Sequence, residues 1–318
     1  MYAVPDGGFL CDGTPQGNIS YSNEDPGMGM PSHSFTNGIC DLCGTADTDY
    51  IQTNAEGFYP LASETDFLWF VTMVNSGHND INAQLEEDVE YSGPMIGTTS
   101  LRYAGIFDGQ HHKITYSTEA AEPVWALFRT LSGTVRNLHV AGTVMTAYNQ
   151  SAGVAAFLYG GTIENCISSV DIISTYSGDA GYGGFTALSM ENGGVIKNCL
   201  FAGTIQGENA HSCAGIAGWT SDSGSLELTN CLSIGEISAS ADGGNVLARN
   251  PWRVTYNNCY YVRPYADVPG GVQQITEEQV RNGAAGYMLN GNTYVKPEWF
   301  QRIGEDDYPT PNADRGII

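Results

Sequence analysis

The segment GTIENCISSVDI (161–172) has near-copies at three other places in the chain, GTVRNLHVAGTV (133–144), GVIKNCLFAGTI (194–205) and LELTNCLSIGEI (226–237). One asparagine recurs at the same place in every copy and again near residue 258. The resulting column is Asn137, Asn165, Asn198, Asn230 and Asn258, at intervals of 28, 33, 32 and 28 residues. A period of roughly 20 to 50 residues is typical of architectures built from stacked coils.

Apolar and polar positions separate cleanly within this repeat. The residues two positions before the asparagine are apolar: Val135, Ile163, Ile196, Leu228 and Tyr256. So are those seven positions after it: Val144, Ile172, Ile205 and Ile237. The residue directly before the asparagine is polar and variable, as expected of a solvent-facing strand position. Such short units cannot bury their apolar side alone but can do so when stacked. The sequence therefore predicts an all-β chain folded as a right-handed parallel β-helix.

A glycine-rich phrase precedes each asparagine segment, as in SAGVAAFLYG at 151 and GYGGFTALSM at 181. Glycine followed by small and apolar residues suits a strand that is entered through a tight corner. We expect Val154, Phe185, Ile216 and Val246 to face the interior.

The asparagine and cysteine columns predict internal structure. Each asparagine amide can bond to its equivalent in the neighbouring coil while supporting a backbone corner. Four cysteines follow the asparagines directly, and Leu138 takes the same place in the first copy. Because leucine substitutes for cysteine there, we interpret these thiols as buried packing groups.

The glycine-rich phrase together with GxIxNC resembles the GLUG-type repeat of bacterial surface and secreted β-helix proteins, including the stalks of IgA-cleaving metallopeptidases. FDGQHHKI (107–114) is similar to a coil that opens such helices, with His111 where the pattern has glycine. The resemblance covers about residues 58–262 and implies a fold and an exported location, not an activity. It divides the chain into an N-terminal segment (1–57), the β-helix (58–262) and a C-terminal cap (263–318).

A candidate metal site lies in the N-terminal segment. Cys40 and Cys43, followed by Gly44, have the spacing of a knuckle in which two thiolates bind one ion, and His33 and Cys11 complete a Cys3His set. With four protein ligands the zinc would be structural. The segment also resembles an H-x-F-x-x-G-x-C-x-x-C-G element of gut bacterial surface proteins. A disulfide is the alternative interpretation.

Helical caps are predicted at both ends of the β-helix. Ser63 with Asp66, and Thr276 with Gln279, form capping boxes before apolar residues at helical spacing. In the C-terminal tail we expect Trp299 and Phe300 to pack, not to stack on a ligand.

Composition restricts the partners. Twelve Lys plus Arg against 35 Asp plus Glu give a formal charge of −23, which would repel nucleic acid and an anionic membrane surface. The sequence has no apolar run long enough to span a bilayer and no signal-peptide stretch at its start. We expect a secreted or cell-surface protein whose export signal is missing from this sequence, and a part of a longer multidomain protein.

Candidate catalytic groups are sparse. HExxH is absent from the sequence, so peptidase activity does not follow from the resemblance. Asp171 and Glu236 share one outward column two coils apart, a separation that fits an acid and base pair of an inverting glycosidase. The following corner gathers two possible sugar-stacking rings and several polar groups. They are Tyr148 and Tyr176, with Asp179, Glu208, His211 and Asp242 nearby.

Three functions remain open at this level. The first is a surface module that binds a glycan or another host or bacterial surface polymer. The second is a glycoside hydrolase or polysaccharide lyase, which would show a concave face with carboxylates about 5 to 10 Å apart. The third is a stalk that binds nothing. A binding module would show a platform for a ligand without a catalytic pair.

Overall fold

The chain is a parallel β-helix, as the repeat predicts. The computed structural model describes residues 2–5, 10, 14–22, 32–211, 213–238, 247–249, 251–263 and 268–313. Cys11, Asp242 and Val246 lie outside the described residues, and so does the side chain of His211.

The first sheet of the solenoid has eight parallel strands. They are Phe58–Leu61, Asn82–Leu85, Ile106–Asp108, Thr134–Arg136, Thr162–Glu164, Val195–Lys197, Leu226–Thr229 and Val254–Asn257. Equivalent apolar residues of successive coils pair directly, Val135 with Ile163 and Ile163 with Ile196, and all three are fully buried. The predicted inward column therefore forms a stack in the core.

The second sheet has ten strands and follows the asparagine corner. They are Val89–Tyr91, Lys113–Glu119, His139–Thr146, Ile167–Ser174, Leu200–Phe201, Thr204–Gly207, Leu232–Ser233, Glu236–Ile237, Cys259–Tyr261 and Val272–Gln274. Side chains alternate between the interior and the outer face, as in Ile167–Ser174. Val144, Ile172 and Ile205 are fully buried, as predicted.

The glycine-rich phrase forms a third and a fourth sheet that lie close together. The third contains Val124–Trp125, Gln150–Ala152 and Gly181–Gly183, and the fourth contains Phe128–Leu131, Ala155–Leu158, Thr186–Ser189 and Ala217–Thr220. A Cβ atom on Gly218 would lie 2.3 Å from the carbonyl carbon of Gly181, so backbones meet there without side chains. A short pair, Gly178–Asp179 with Ala210–His211, joins two corners. Val154, Phe185 and Ile216 are fully buried, as predicted.

The five asparagines turn the chain between the first two sheets. Each has a left-handed backbone, with φ between 51° for Asn137 and 55° for Asn165, which asparagine tolerates better than most residues. Each side-chain amide from Asn165 onward donates to the side-chain oxygen of the preceding asparagine, at 2.9 to 3.2 Å. The ladder predicted from the sequence is present, and its donors point toward the first coil.

The cysteine column is buried inside the helix beside this ladder. Cys166, Cys199 and Cys231 are fully buried, and burial raises the pKa of the Cys199 and Cys231 thiols well above its ordinary value. The sulfur of Cys166 lies 3.1 Å from the backbone oxygen of Glu164. These thiols are packing groups, not nucleophiles.

The N-terminal end of the solenoid is covered by helix α1 (Glu64–Asn75). Ser63 caps it, accepting from the backbone N–H of Asp66 at 3.1 Å as predicted, but the Asp66 carboxylate accepts from the N–H of Ala62 at 3.1 Å, so the predicted capping box does not close on Ser63. The buried side of α1, including Phe67 and Phe70, packs into the solenoid core. Before α1 lie two antiparallel hairpins, Tyr2–Pro5 with Ile19–Ser22 and Phe35–Thr36 with Ile39–Cys40.

The C-terminal segment lies against the outer side of the second sheet. Helix α2 (Glu277–Arg281) has the predicted capping box, and Gly283, with φ of 87°, separates it from helix α3 (Ala284–Leu289). Both helices and the buried Trp299 pack on Leu200, Leu232 and Tyr260. Residues 310–312 of this segment lie beside His111 and Asn137 of the early coils. A 3-10 turn, Pro251–Arg253, precedes the last coil.

No helix in the described part of the chain is long and apolar enough to cross a bilayer.

Candidate functional site

The predicted metal knuckle, residues 33–44, is built on a tight hairpin. Asn37 and Gly38 form its turn with φ of 52° and 74°, the left-handed pair that short hairpins require. The chain then turns again at Cys40, where the N–H of Gly44 donates to the Cys40 oxygen at 2.9 Å. Gly44 has φ of 73° and open space around its Cα, so its backbone angle alone explains the glycine.

The hairpin brings together three of the four predicted metal ligands. One ligand atom each from His33, Cys40 and Cys43 lies within 4.8 Å of the others. The His33 Nδ1 atom is 3.6 Å from Cys43 Sγ. Zinc bonds of about 2.0 Å to nitrogen and 2.3 Å to sulfur, at a tetrahedral angle, put the two ligand atoms about 3.6 Å apart. The arrangement thus fits zinc, and these three residues could hold a metal ion.

The sulfurs also affect the histidine. Hydrogen bonding to the Cys40 side chain, followed by the Cys43 contact, raises the pKa of His33 above its ordinary value. Cys11, the fourth predicted ligand, lies outside the described residues.

The knuckle is docked on helix α1. A Cβ atom on Gly38 would lie 2.4 Å from the Tyr50 ring and 2.8 Å from the Trp69 ring, so the hairpin turn fits closely against them. The Trp69 indole N–H donates to the backbone oxygen of Asp47 at 2.7 Å. Because Trp69 belongs to the solenoid core, the knuckle is an integral cover of the first coil.

The predicted carboxylate pair is engaged in structure. Asp171 Oδ1 accepts from the backbone N–H of Thr204 at 3.0 Å and from its hydroxyl at 2.7 Å. Thr204 in turn pairs with the exposed Glu236 of the next coil. The structure places Thr204 between the two carboxylates and holds Asp171 by hydrogen bonds to that residue.

The predicted tyrosine corner offers less ring surface than the sequence indicates. Tyr148 and Tyr176 are only partly exposed and pack against the core. Asp179 forms an ion pair with Arg249 at 3.0 Å, and this guanidinium lies 3.9 Å over the Trp219 ring. The corners of Asp179 and His211 pair in adjacent coils, and Glu208 is exposed nearby.

A cavity lies elsewhere, between the second sheet and the C-terminal segment. It has a volume of about 330 Å³. Its apolar side is formed by Ile234 and Val262 from outward positions of the sheet and by Val280 from α2. Tyr308 and Asp307 come from the tail, and three charged residues complete the lining: Arg263, Glu277 and Arg281. We call this cavity the C-terminal groove.

A charge network crosses the C-terminal groove. Glu277 Oε1 lies 3.2 Å from Arg263 Nη1, and its Oε2 lies 3.2 Å from Arg281 Nη2. The buried Gln301 holds this wall in place, since its amide donates to the backbone oxygens of Val280 at 3.0 Å and Asp306 at 3.1 Å. Apolar lining with a few fixed polar groups is typical of small-molecule sites.

Sequence reasoning missed the C-terminal groove, although a signal was present. Outward strand positions should be polar, yet the residue four places after the asparagine is Ile234 or Val262 in the last coils, and Leu200 and Leu232 occupy a second outward column. Apolar residues on an outward face indicate that another segment covers it.

Comparisons with known proteins support the fold. No family model and no curated protein matches the sequence, so the GLUG resemblance has no family match. Among solved structures, the chain is similar to one described as a "putative immunoglobulin A1 protease from Bacteroides ovatus". The TM-score is 0.56 at 16% identity, over 81% of this chain and 93% of that chain. At this identity the similarity shows a shared β-solenoid fold and nothing about activity.

Proposed function

We propose that this chain is an exported β-helix module that binds a glycan of a host or bacterial surface without cleaving it. The observation that carries the proposal is the C-terminal groove. Its volume of about 330 Å³ lies within the range of about 300 to 1,000 Å³ typical of small-molecule sites. Apolar side chains, a tyrosine and four charged groups converge there, the combination that contacts both the C–H face and the hydroxyls of a sugar.

The arrangement of carboxylates favours binding over catalysis. Glycoside hydrolysis needs one carboxylic acid to donate a proton and a second carboxylate to act as base or nucleophile. In the C-terminal groove, each oxygen of Glu277 contacts a different arginine, so both carboxylate oxygens are already engaged as acceptors. Outside the groove, Asp171 Oδ1 accepts two hydrogen bonds from Thr204.

The similar solved structure contributes only its fold to this proposal. Its name assigns it a protease activity, whereas this sequence has no HExxH motif. Export and membership of a longer protein rest on the resemblance to surface β-helix proteins, and fractionation of the source cells with an antibody to this chain tests export.

A glycan array followed by product analysis of the bound glycans tests the proposed function. We expect binding without cleavage, and substituting Glu277→Gln should weaken it at least about tenfold, because both arginines lose their charged partner. Glu305→Gln is the matched control, since Glu305 is also exposed and paired with an arginine, Arg302 at 3.9 Å, but does not line the groove. Cleaved products would establish the enzyme alternative, and absence of any binding would favour a stalk.

We also propose that the knuckle holds one structural zinc ion through His33, Cys40, Cys43 and Cys11. The support is the 3.6 Å separation of His33 Nδ1 and Cys43 Sγ, which equals a tetrahedral zinc edge. Elemental analysis should give about one zinc per chain. Less than half an equivalent, or a Cys40 to Cys43 disulfide found by mass spectrometry, would contradict the proposal.

A further inference from the structure

A second cavity continues the C-terminal groove. It has a volume of about 490 Å³ and shares Val262, Arg263 and Glu277 with the first. Its own lining is Gln274, Ile275 and Thr276, from the last strand and the start of α2. The Arg263 and Glu277 ion pair therefore stands between two adjoining spaces, each of a size suited to a small molecule.

Among the described residues that line the groove, the charges cancel. Arg263 and Arg281 carry two positive charges, and Glu277 and Asp307 carry two negative charges. The whole chain has a formal charge of −23, which repels anions at long range. A groove with no net charge in such a protein selects against acidic ligands and offers no surplus of carboxylates to attract a cation.

The two arginines and two carboxylates of the groove can form hydrogen bonds with the hydroxyls of a sugar. A hydroxyl both donates and accepts hydrogen bonds, and the groove provides arginine N–H donors beside carboxylate acceptors. The Glu277 contacts engage one nitrogen of each arginine, Nη1 of Arg263 and Nη2 of Arg281, out of the several N–H groups of a guanidinium. Ile234, Val262 and the ring of Tyr308 give apolar surface for the C–H face of a pyranose.

We infer that the C-terminal groove binds an uncharged oligosaccharide segment of at least two sugar residues, with one residue in each cavity and the glycosidic linkage across the Arg263 and Glu277 pair. This inference rests on the proposed glycan-binding function and specifies its ligand.

Calorimetric titration of the whole chain tests it. The probes are glucose, galactose, mannose and N-acetylglucosamine, homodisaccharides and homotrisaccharides of each, and disaccharides in which glucuronic acid replaces one neutral residue. At least one neutral disaccharide should bind roughly ten- to a hundredfold more tightly than its monosaccharide, since a second ring fills the second cavity. Its glucuronic acid counterpart should bind more weakly.

Two substitutions separate the cavities. Gln274 lines only the second cavity, although its amide also donates to the backbone oxygen of Val262 at 3.1 Å, so Gln274→Ala should reduce the affinity for the disaccharide by a larger factor than that for the monosaccharide. Tyr308→Ala changes only the first cavity and should weaken both ligands by the same factor. Glu305→Gln, outside both cavities, should change neither.

The outcomes distinguish this inference from the function beneath it. Equal affinity for a monosaccharide and its disaccharide would overturn the two-residue site while leaving glycan binding intact. Tighter binding of glucuronic acid disaccharides would overturn the uncharged ligand class. Failure of all probes and of the whole glycan array would overturn the proposed function itself.

Discussion

The side-chain amide of Asn165 donates to the side-chain oxygen of Asn137 at 3.2 Å, across one coil of the helix. The same bond recurs upward to Asn258, so five coils share one line of hydrogen bonds. The line ends in the buried carboxylate of Asp108, which accepts from Asn137 at 3.0 Å and from Arg136 at 2.7 Å. At its other end Asn258 also donates to the Leu289 oxygen at 3.1 Å, so α3 closes the ladder.

Removing one asparagine of the ladder should therefore destabilise the protein more than the loss of its backbone turn alone. Asn198→Ala leaves the Asn230 donor and the Asn165 acceptor without their partner and places alanine at φ of 54°. We expect a loss of roughly 2 to 4 kcal/mol in the free energy of unfolding, measured by chemical denaturation.

Asn292→Ala is the matched control. Asn292 has a similar φ of 60° but is exposed and lies outside the ladder. The free energy of unfolding of this variant should therefore fall by only about 1 to 2 kcal/mol. An equal decrease in the free energy of unfolding of both variants would show that the hydrogen bonds of the ladder add no stability beyond the left-handed turn.

The contact between the third and fourth sheets predicts a steric effect at Gly218. A Cβ atom there meets backbone atoms of Gly181 at 2.3 to 2.5 Å, and backbone cannot rotate away as a side chain can. Gly218→Ala should lower the melting temperature, with a destabilisation of about 3 kcal/mol. Gly270→Ala, at a position with open space, should change the stability by less than about 0.5 kcal/mol. A tolerated Gly218→Ala would mean that the two sheets can separate.

Stability should depend on pH through His139. Burial and the nearby Lys113 lower its pKa from its ordinary value of 6.5 to about 4, while its Nε2 lies 2.7 Å from the Ser169 hydroxyl. Between these two pKa values the unfolded chain binds a proton at His139 that the folded chain does not. The contribution of the neutral His139 to the free energy of unfolding is therefore complete above pH 6.5 and is lost as the pH falls toward 4. The loss is roughly 3 kcal/mol.

Denaturation curves at several pH values check this effect. His139→Gln should flatten the pH dependence between 4 and 6.5, whereas His78→Gln, at an exposed position, should leave it unchanged. An unaltered profile in the first variant would assign the dependence to other groups.

Loss of the proposed zinc ion should disturb the first coil and spare the later coils. Because Gly38 packs on Trp69, an unfolded knuckle would release the Trp69 indole bond to Asp47. With Cys43→Ser or after chelation, amide hydrogen exchange should rise in 33–50 and around α1, and remain slow in the strands of 134–174. Leu42→Ser, an exposed non-ligand in the same turn, is the control and should retain the metal. Fast exchange throughout the chain would show that the knuckle supports the whole solenoid.

The candidate sites divide according to how local their geometry is. His33, Cys40 and Cys43 lie in or directly beside one hairpin, so their spacing in the sequence was sufficient to predict their proximity. Asp171 and Glu236 were correctly placed in one column, but the sequence could not show that Thr204 bonds to Asp171. Hydrogen-bond partners depend on side-chain positions that the repeat does not define.

The repeat alone is enough to predict the coil. In a solenoid each residue contacts its equivalents in neighbouring coils, so Asn165, Ile163 and Cys166 meet their own copies, and a repeated column is enough to predict the contact. The position of the C-terminal segment, in contrast, depends on contacts that no repeat in the sequence predicts. Tyr308 and Ile234 line one cavity although more than seventy residues separate them and no repeat relates them, and docking of the tail on the outer face of the second sheet creates the groove on which the proposed function rests.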